Sequence, residues 1–574
     1  MRLASESKPG GEAAASPSDG RPKPAASTRA PDGDVADTRQ DAPDADSAVR
    51  FDGVRLRGAV EWILALAPTV VLVVYWCIVG RVERVSILED DAFYYLGVAR
   101  SLAEGHGSTF AGSIMTNGYH PLWLALLVPV TWLVQDAELV VLAVVLVHGV
   151  LWAASVRETF RIGRAVGSWH GAAAAVAAYA TLAVMTGHLA FNGMESALVL
   201  YLFLVLMRMG VTNGPERSTR VDLRMGILLA LICLTRLDAV FGAIPVALVL
   251  LLDARPSGRA LVRRAVALGA PTAVALAAYV AMNEIVFGTA TPVSGQTKAL
   301  GAPGDNIQQL WGFLKLGQLE GRRLWLGAAG LVIVGLALVT MRWRASRPLS
   351  RLMAMTLALV VGQAVLVAYL VTSTSFVFPF SWYHYQLALF ALGGTVVLGS
   401  WSVERFGSPA RLACLGVAAL VVVAAVAEAV VRFNEPKRSA VFAAADFVDA
   451  EVPDDAMLAM GDRAGYFGYL AERPLLHLEG LVADADFLHQ VEDGEALARM
   501  NDEDVTYYIT NAGLGRRVEI DGEPCARFVE PPYTFGPTFE VTVCLDDLVF
   551  GEVDEDGGKA LTVWRYRPEL NPTR

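Results

Sequence analysis

Three consecutive carboxylates, Glu89, Asp90 and Asp91, stand just beyond an apolar run that ends near residue 80. Like charges this close repel in a medium of low dielectric, so the trio needs a proton, a metal ion or a cationic partner. An acidic helix start is the plainer account, since Asp caps free amides and complements the helix dipole, but it explains one acid and not three. The chain continues through Phe93, Tyr94 and Tyr95, then Gly105-His-Gly107, then Thr116-Asn-Gly-Tyr-His120. The aromatic rings suit the headgroup layer of a membrane and equally the wall of a sugar or prenyl path. His106 and His120 have no Cys or His at ligand spacing, which favours fixing loop turns over binding metal.

Apolar helices must position these residues. The 574-residue chain has a mean hydropathy of +0.44, with 54% hydrophobic and 18% charged residues, far more apolar than ordinary soluble domains. Apolar runs of membrane-spanning length recur from Glu61 to Val431. The net charge of -11 comes largely from the two ends, which argues against nucleic acid as a partner. Residues 1–58 are rich in Ala, Pro, Asp, Ser and Gly and carry no apolar core, so they read as a disordered cytoplasmic tail.

Arginine sets the expected orientation, because basic residues in short loops stay on the cytoplasmic side. Arg55 and Arg57 precede the first run, and further clusters lie at 157–164, 217–224, 255–264, 342–351 and 405–411. Joining them predicts about eleven transmembrane helices, near 60–80, 138–156, 169–189, 195–211, 225–237, 239–252, 263–287, 325–341, 352–372, 385–400 and 411–431. Pro121 to Val134 is too short to cross and reads as an interfacial or re-entrant helix inside a first external loop, 81–137. Residues 59–431 thus form the membrane module, a multi-pass unit of the plasma membrane with its N-terminus inside. The 432–574 tail lies outside, where strand-like Met457–Met460, Val505–Thr510 and Thr538–Cys544 alternate with helix-like Ser439–Ala450 and Ala485–Met500. The fold class expected is therefore a polytopic all-α membrane protein with a C-terminal extracytoplasmic α/β domain. In an oxidising compartment Cys525 and Cys544 of that domain can pair, whereas Cys77, Cys233 and Cys414 sit in apolar runs as small buried hydrophobes.

Asp90-Asp91 after the first span, the following Tyr-Tyr-Leu96 and Gly-His-Gly107, and the later Asn192-Gly-Met-Glu-Ser196 resemble the GT-C superfamily of membrane glycosyltransferases that use polyprenyl-phosphate sugars. The pattern is most similar to protein O-mannosyltransferase-like and arabinofuranosyltransferase-like members, over roughly residues 60–300. The resemblance implies that Asp90 and Asp91 serve an active site, that Glu195 is a second acid, and that interfacial helices lie in the first loop. It implies a polyprenyl-phosphate sugar donor and a cell-envelope glycan, lipid or protein acceptor.

Such a reaction displaces a lipid phosphate from the anomeric carbon by an acceptor hydroxyl. A carboxylate must take the hydroxyl proton, for which Asp90 is the choice, with Asp91 or Glu195 orienting the acceptor or a divalent ion. No metal site is assigned beyond Asp90 and Asp91 should such an ion be used. The leaving phosphate needs positive charge, and the outward candidates are Arg236, Lys298 and His384. Their plainer roles are an Arg236–Asp238 pair, a solvated loop charge and an interfacial ring. Tyr94, Tyr95, His120 and Asp238 are the expected acceptor or sugar contacts. Gly461-Asp-Arg-Ala-Gly-Tyr-Phe-Gly468 has the look of a phosphate-binding turn but lacks the Lys-Ser or Lys-Thr ending, and Asp462 is a further acceptor contact to test. The alternative function is a transporter or flippase for a lipid-linked or polar solute, whose sites lie near the midplane between repeated halves; no repeat is visible here.

Overall fold

The computed structural model describes residues 45–112, 114–186, 191–253, 258–300, 346–374, 381–416, 439–511, 515–531, 537–551 and 561–573. Helix α1 runs Ala45–Ile78, so residues 45–58, expected as part of a disordered tail, are helical. A short α2 (Arg81–Val85) leads into α3 (Asp90–Glu104), whose first turn carries the acidic residues. A small hairpin of β1 (Thr109–Phe110) and β2 (Ile114–Met115) follows. Helix α4 (Pro121–Leu133) comes next, with proline at its first turn where the missing N–H costs nothing. Its 13 residues reach roughly 20 Å, well short of a hydrocarbon core.

The apolar runs then become α5 (Ala137–Ala165), α6 (Trp169–Thr186), α7 (Ser196–Thr212), α8 (Thr219–Thr235), α9 (Val240–Leu252) and α10 (Gly258–Phe287). Short α11 (Val293–Ala299) precedes α12 (Arg347–Ser373) and α13 (Tyr385–Phe406). Among the described residues five helices are long and apolar enough to cross a membrane: Leu56–Ile78 of α1, α5, α10, α12 and α13. Large apolar side chains on their outer faces, such as Trp62, Ile63, Val150, Val274, Ile285 and Val361, are exposed, a surface that lipid tolerates and water does not. The expected short hairpin 225–252 is longer than the apolar pattern alone indicates, because α8 starts at Thr219 and takes in Asp222 and Arg224. Its charge is matched: Arg217 and Arg264 both pair with Asp222, so polar residues extend the helix without being stranded. The expected span 325–341 and the part of 411–431 beyond residue 416 lie outside the described residues.

The C-terminal residues begin with α14 (Ser439–Glu451) and build a five-stranded sheet in the order β4-β3-β5-β10-β9. Its strands are β3 (Met457–Met460), β4 (Leu475–His477), β5 (Val505–Thr510), β9 (Leu548–Phe550) and β10 (Thr562–Arg565), with β3 parallel to both neighbours and the far edge antiparallel. Helix α15 (Ala464–Ala471) makes the right of way from β3 to β4. The predicted helix 485–500 is two helices, α16 (Ala485–Glu492) and α17 (Ala496–Asp502), because Gly494 takes a positive φ of 77° between them. A second, antiparallel sheet joins β6 (Arg516–Ile520), β7 (Glu523–Glu530) and β8 (Phe539–Cys544). Cys525 and Cys544 stand opposite each other on β7 and β8 and form a disulfide.

Candidate active site

Glu89 caps α3 with its backbone in the extended region, and its N–H donates to Asn192 O at 3.1 Å. Asn192 in turn accepts from the Met194 N–H and the Ser196 hydroxyl, and Gly193 O accepts from Trp123 Nε1. The Asn192-Gly-Met-Glu loop is thereby pinned beside the start of α3, which brings Glu195 toward the first-loop acids.

The two aspartates of α3 have different surroundings. Asp90 Oδ1 accepts from the Tyr466 N–H at 2.9 Å and Oδ2 from the Gly465 N–H at 3.3 Å, so its carboxylate caps α15. Asp91 is half-buried, and burial first, then the Asp90 charge, push its pKa up to about 7. The positive field of Lys298 acts against that rise. One carboxylate is tied to backbone amides, while its neighbour is poised to gain or lose a proton near neutrality.

Arg236 is fully buried at the junction of α8 and α9. Its Nε and Nη2 hold both oxygens of Asp238 at 2.7 and 3.0 Å, and Nη1 donates to Glu195 Oε1 at 2.5 Å. The guanidinium lies over the Tyr383 ring at 4.4 Å and near Tyr385 at 5.7 Å, a geometry that suits a delocalised cation. His120 Nδ1 accepts the Leu237 N–H, leaving the proton on Nε2, which lies 3.8 Å from Glu195 Oε1. Burial first and Arg236 next lower the His120 pKa to about 3, so the ring is neutral at pH 7. Glu195 Oε2 is buried and has no hydrogen-bond partner among the described residues. Lys298, in the last turn of α11, donates to Tyr383 Oη at 2.8 Å. His384 sits at the start of α13, next to Tyr385.

A third wall comes from the C-terminal residues. Tyr94 Oη lies 2.9 Å from His477 Nε2 at the end of β4, and the rings of Tyr94 and His477 meet edge to face. Thr297 donates to Gly480 O at 3.0 Å, and Asn117 ties down α11 by accepting the Val293 N–H. At Gly118 a Cβ would fall 1.9 Å from Leu481 O, so the Asn117-Gly118 turn and the turn after β4 touch backbone to backbone. Glu479 follows His477 by two residues. Burial, then Asp462, Glu530, Asp91 and Asp90 in that order, raise its pKa well above the usual carboxylate range.

Of the residues singled out in the sequence, Asp91, Glu195, Arg236, Asp238, His120, Lys298, Tyr94 and Tyr95 are brought together. Tyr95 is buried where the Glu195 charge reaches it. Arg236 pairs with Asp238 as its plainer role expected, and with Glu195 as well. The phosphate-like turn 461–468 is a strand–helix junction whose free amides receive the Asp90 carboxylate. Missed altogether were His477 and Glu479, whose only signal is a polar pair closing a short apolar strand before Gly480, and the Tyr385 ring beside His384. The grouping of Glu523 with Cys525 and Cys544 has a ligand-like geometry, but both sulfurs are in the disulfide and offer no thiolate.

No protein-family model and no curated protein matches the sequence. Solved structures do match. The apo oligosaccharyltransferase of Archaeoglobus fulgidus superposes with a TM-score of 0.50 at 12% identity, over 79% of this chain and 69% of that one. The chain has the GT-C fold. ArnT from Cupriavidus metallidurans bound to undecaprenyl phosphate matches over 91% of this chain and 99% of its own, at 13% identity and a TM-score of 0.47. The mycobacterial arabinofuranosyltransferase AftD matches over 77% of this chain and 34% of its own, at 13% identity and a TM-score of 0.41. In this chain the acids of the first loop, the α8–α9 junction and the 477–481 segment converge beside a set of membrane-length helices.

Proposed function

We propose that this protein is a membrane glycosyltransferase that moves a sugar from a polyprenyl-phosphate carrier to a hydroxyl of an envelope glycan, lipid or protein. The observation that carries this reading is Asp91, a half-buried carboxylate held near pKa 7 within the field of Lys298 and close to the buried Arg236–Glu195 pair. A general base works best when its pKa lies near the working pH. The sequence alone favoured Asp90 as base; the engagement of both Asp90 oxygens with α15 favours Asp91 instead.

In the proposed step Asp91 takes the proton of the acceptor hydroxyl as that oxygen bonds to the anomeric carbon. The bond from this carbon to the phosphate oxygen breaks, and its electron pair leaves with the lipid phosphate. Lys298 and Arg236 supply positive charge for the phosphate, which gains charge in the transition state. Arg236 serves mainly through Glu195 and Asp238, while Lys298 donates to Tyr383 Oη and its charge acts on Asp91. Glu195 Oε2, buried and without a hydrogen-bond partner among the described residues, suits an acceptor or sugar hydroxyl. His384, at the start of α13, is a further candidate phosphate contact.

A divalent ion shared by Asp90 and Asp91 fits this donor set poorly. Such ions take six or more oxygen ligands, while the Asp90 oxygens already accept amide protons and an ammonium faces Asp91. We read residues 59–431 as the membrane module, with the site on the extracytoplasmic side, the N-terminus inside and 432–574 as an outer domain.

The test is purified protein in lipid nanodiscs with labelled polyprenyl-phosphate sugars and an envelope extract. Wild type transfers label, and Asp91→Asn loses about 10²- to 10⁴-fold, the range for a positioned base. Full activity of Asp91→Asn removes Asp91 from the step. No transfer from any donor, together with solute uptake by vesicles carrying the protein, favours a transporter.

A further inference from the structure

Asp90 stands in the first turn of α3, and its carboxylate reaches across 375 residues of sequence to the first amides of α15. Those amides have no partners within their helix, and the N-terminal end of a helix carries partial positive charge, so a carboxylate there is held by both effects. The approach is close: a Cβ on Gly465 would sit 2.3 Å from the Asp90 carbonyl oxygen, which leaves glycine as the residue that fits. The contact continues along both helices. The Tyr466 hydroxyl donates to Leu88 O, and Phe93 packs on Tyr466 and Tyr469 with ring centres 4.7 and 5.3 Å apart. Arg100 closes the far end on Glu472 at 2.6 Å and on the Tyr469 carbonyl at 3.0 Å. Helix α15 lies between β3 and β4, and β4 ends in His477 against Tyr94, with Glu479 and Gly480 immediately after.

We propose that Asp90 is a positioning residue, a latch whose carboxylate seats α15 on the first loop and thereby sets the 477–481 segment over Asp91. It holds no reacting atom. Its work is to bring the C-terminal residues down so that Asp91 is shielded from water and Glu479 stands near it. This rests on the reading of Asp91 as the reacting acid, but the latch itself is read without catalysis.

The test compares Asp90→Asn, which keeps an acceptor oxygen for the Tyr466 amide, with Asp90→Ala, which keeps none. Hydrogen exchange on the full chain in nanodiscs reports the latch directly. Exchange of residues 464–468 rises about tenfold in Asp90→Ala and less in Asp90→Asn, in proportion to the cap lost. In transfer assays Asp90→Asn stays within about tenfold of wild type while Asp90→Ala falls further, and both keep the acid limb of the pH profile near 7. Tyr466→Phe, which removes the hydroxyl bonded to Leu88 O, raises exchange in the same segment and covers the case in which Asp90→Ala does not fold. Unchanged exchange at 464–468 in Asp90→Ala overturns the latch. So does an Asp90→Asn variant as inactive as Asp90→Ala with the acid limb gone, because that pattern makes Asp90 the base. Should no sugar transfer be found for wild type, the exchange result still decides the latch.

Discussion

Asp91 carries an electrostatic cost that its replacement removes. Its pKa stands near 7 in the folded protein against 3.8 for the ordinary side chain, so the folded state binds the proton more tightly. Stability conferred by protonation is therefore complete at low pH and is lost as pH rises from about 4 through 7. Asp91→Asn, which mimics the protonated form, is expected to raise the melting temperature at pH 8, to raise it less at pH 5, and to leave it nearly unchanged near pH 3, measured by thermal unfolding in detergent. Arg236 has the opposite sign. Removing it strands Glu195 and Asp238 in a buried site, so Arg236→Ala should lose about 3–5 kcal/mol in denaturant titrations. The acids of the first loop were legible in the sequence because three adjacent carboxylates at a membrane edge demand an explanation. Which aspartate reacts was not legible, since that depends on amides contributed by residues 465 and 466.

At the scale of elements, turns with no room for a side chain decide how the walls of the site meet. Gly118 faces Leu481 O so closely that an added methyl has to push one backbone away from the other. Gly118→Ala is expected to cost about 1–3 kcal/mol, as other overpacked contacts do, and to lower transfer by shifting Glu479. Circular dichroism melts alongside the transfer assay check both. Most helices were legible from their apolar length, and β3, β5 and β8 from short apolar stretches. The break at Gly494 was missed because apolar periodicity continues across it, while the positive φ belongs to the backbone. Pairing of β4 with β3 was equally hidden, since β4 has three residues and is placed by α15.

For the whole molecule, the arginine clusters predict which side of the membrane each end occupies. A cysteine placed at Asp493, exposed in the turn between α16 and α17, should react in intact cells with a thiol reagent that does not cross membranes. A cysteine at Arg220 should react only after the membrane is opened. The reverse pattern overturns the orientation derived from the arginine clusters. The superposition on an oligosaccharyltransferase at 12% identity shows how little of the architecture depends on particular side chains. Apolar length and loop charge suffice for much of it, which is why the fold was more legible than the site.

The span between Asp90 and Gly465 has a consequence for biosynthesis. At ordinary ribosomal speeds of 5–20 residues per second, those 375 residues take roughly 20–75 s to make. Throughout that interval the first loop lacks the contacts that Gly465 and Tyr466 give it in the complete chain. On the proposed reading competence arrives late, when about the last fifth of the polypeptide emerges and encloses the carboxyl, so an unfinished chain would be protected from spending a lipid donor.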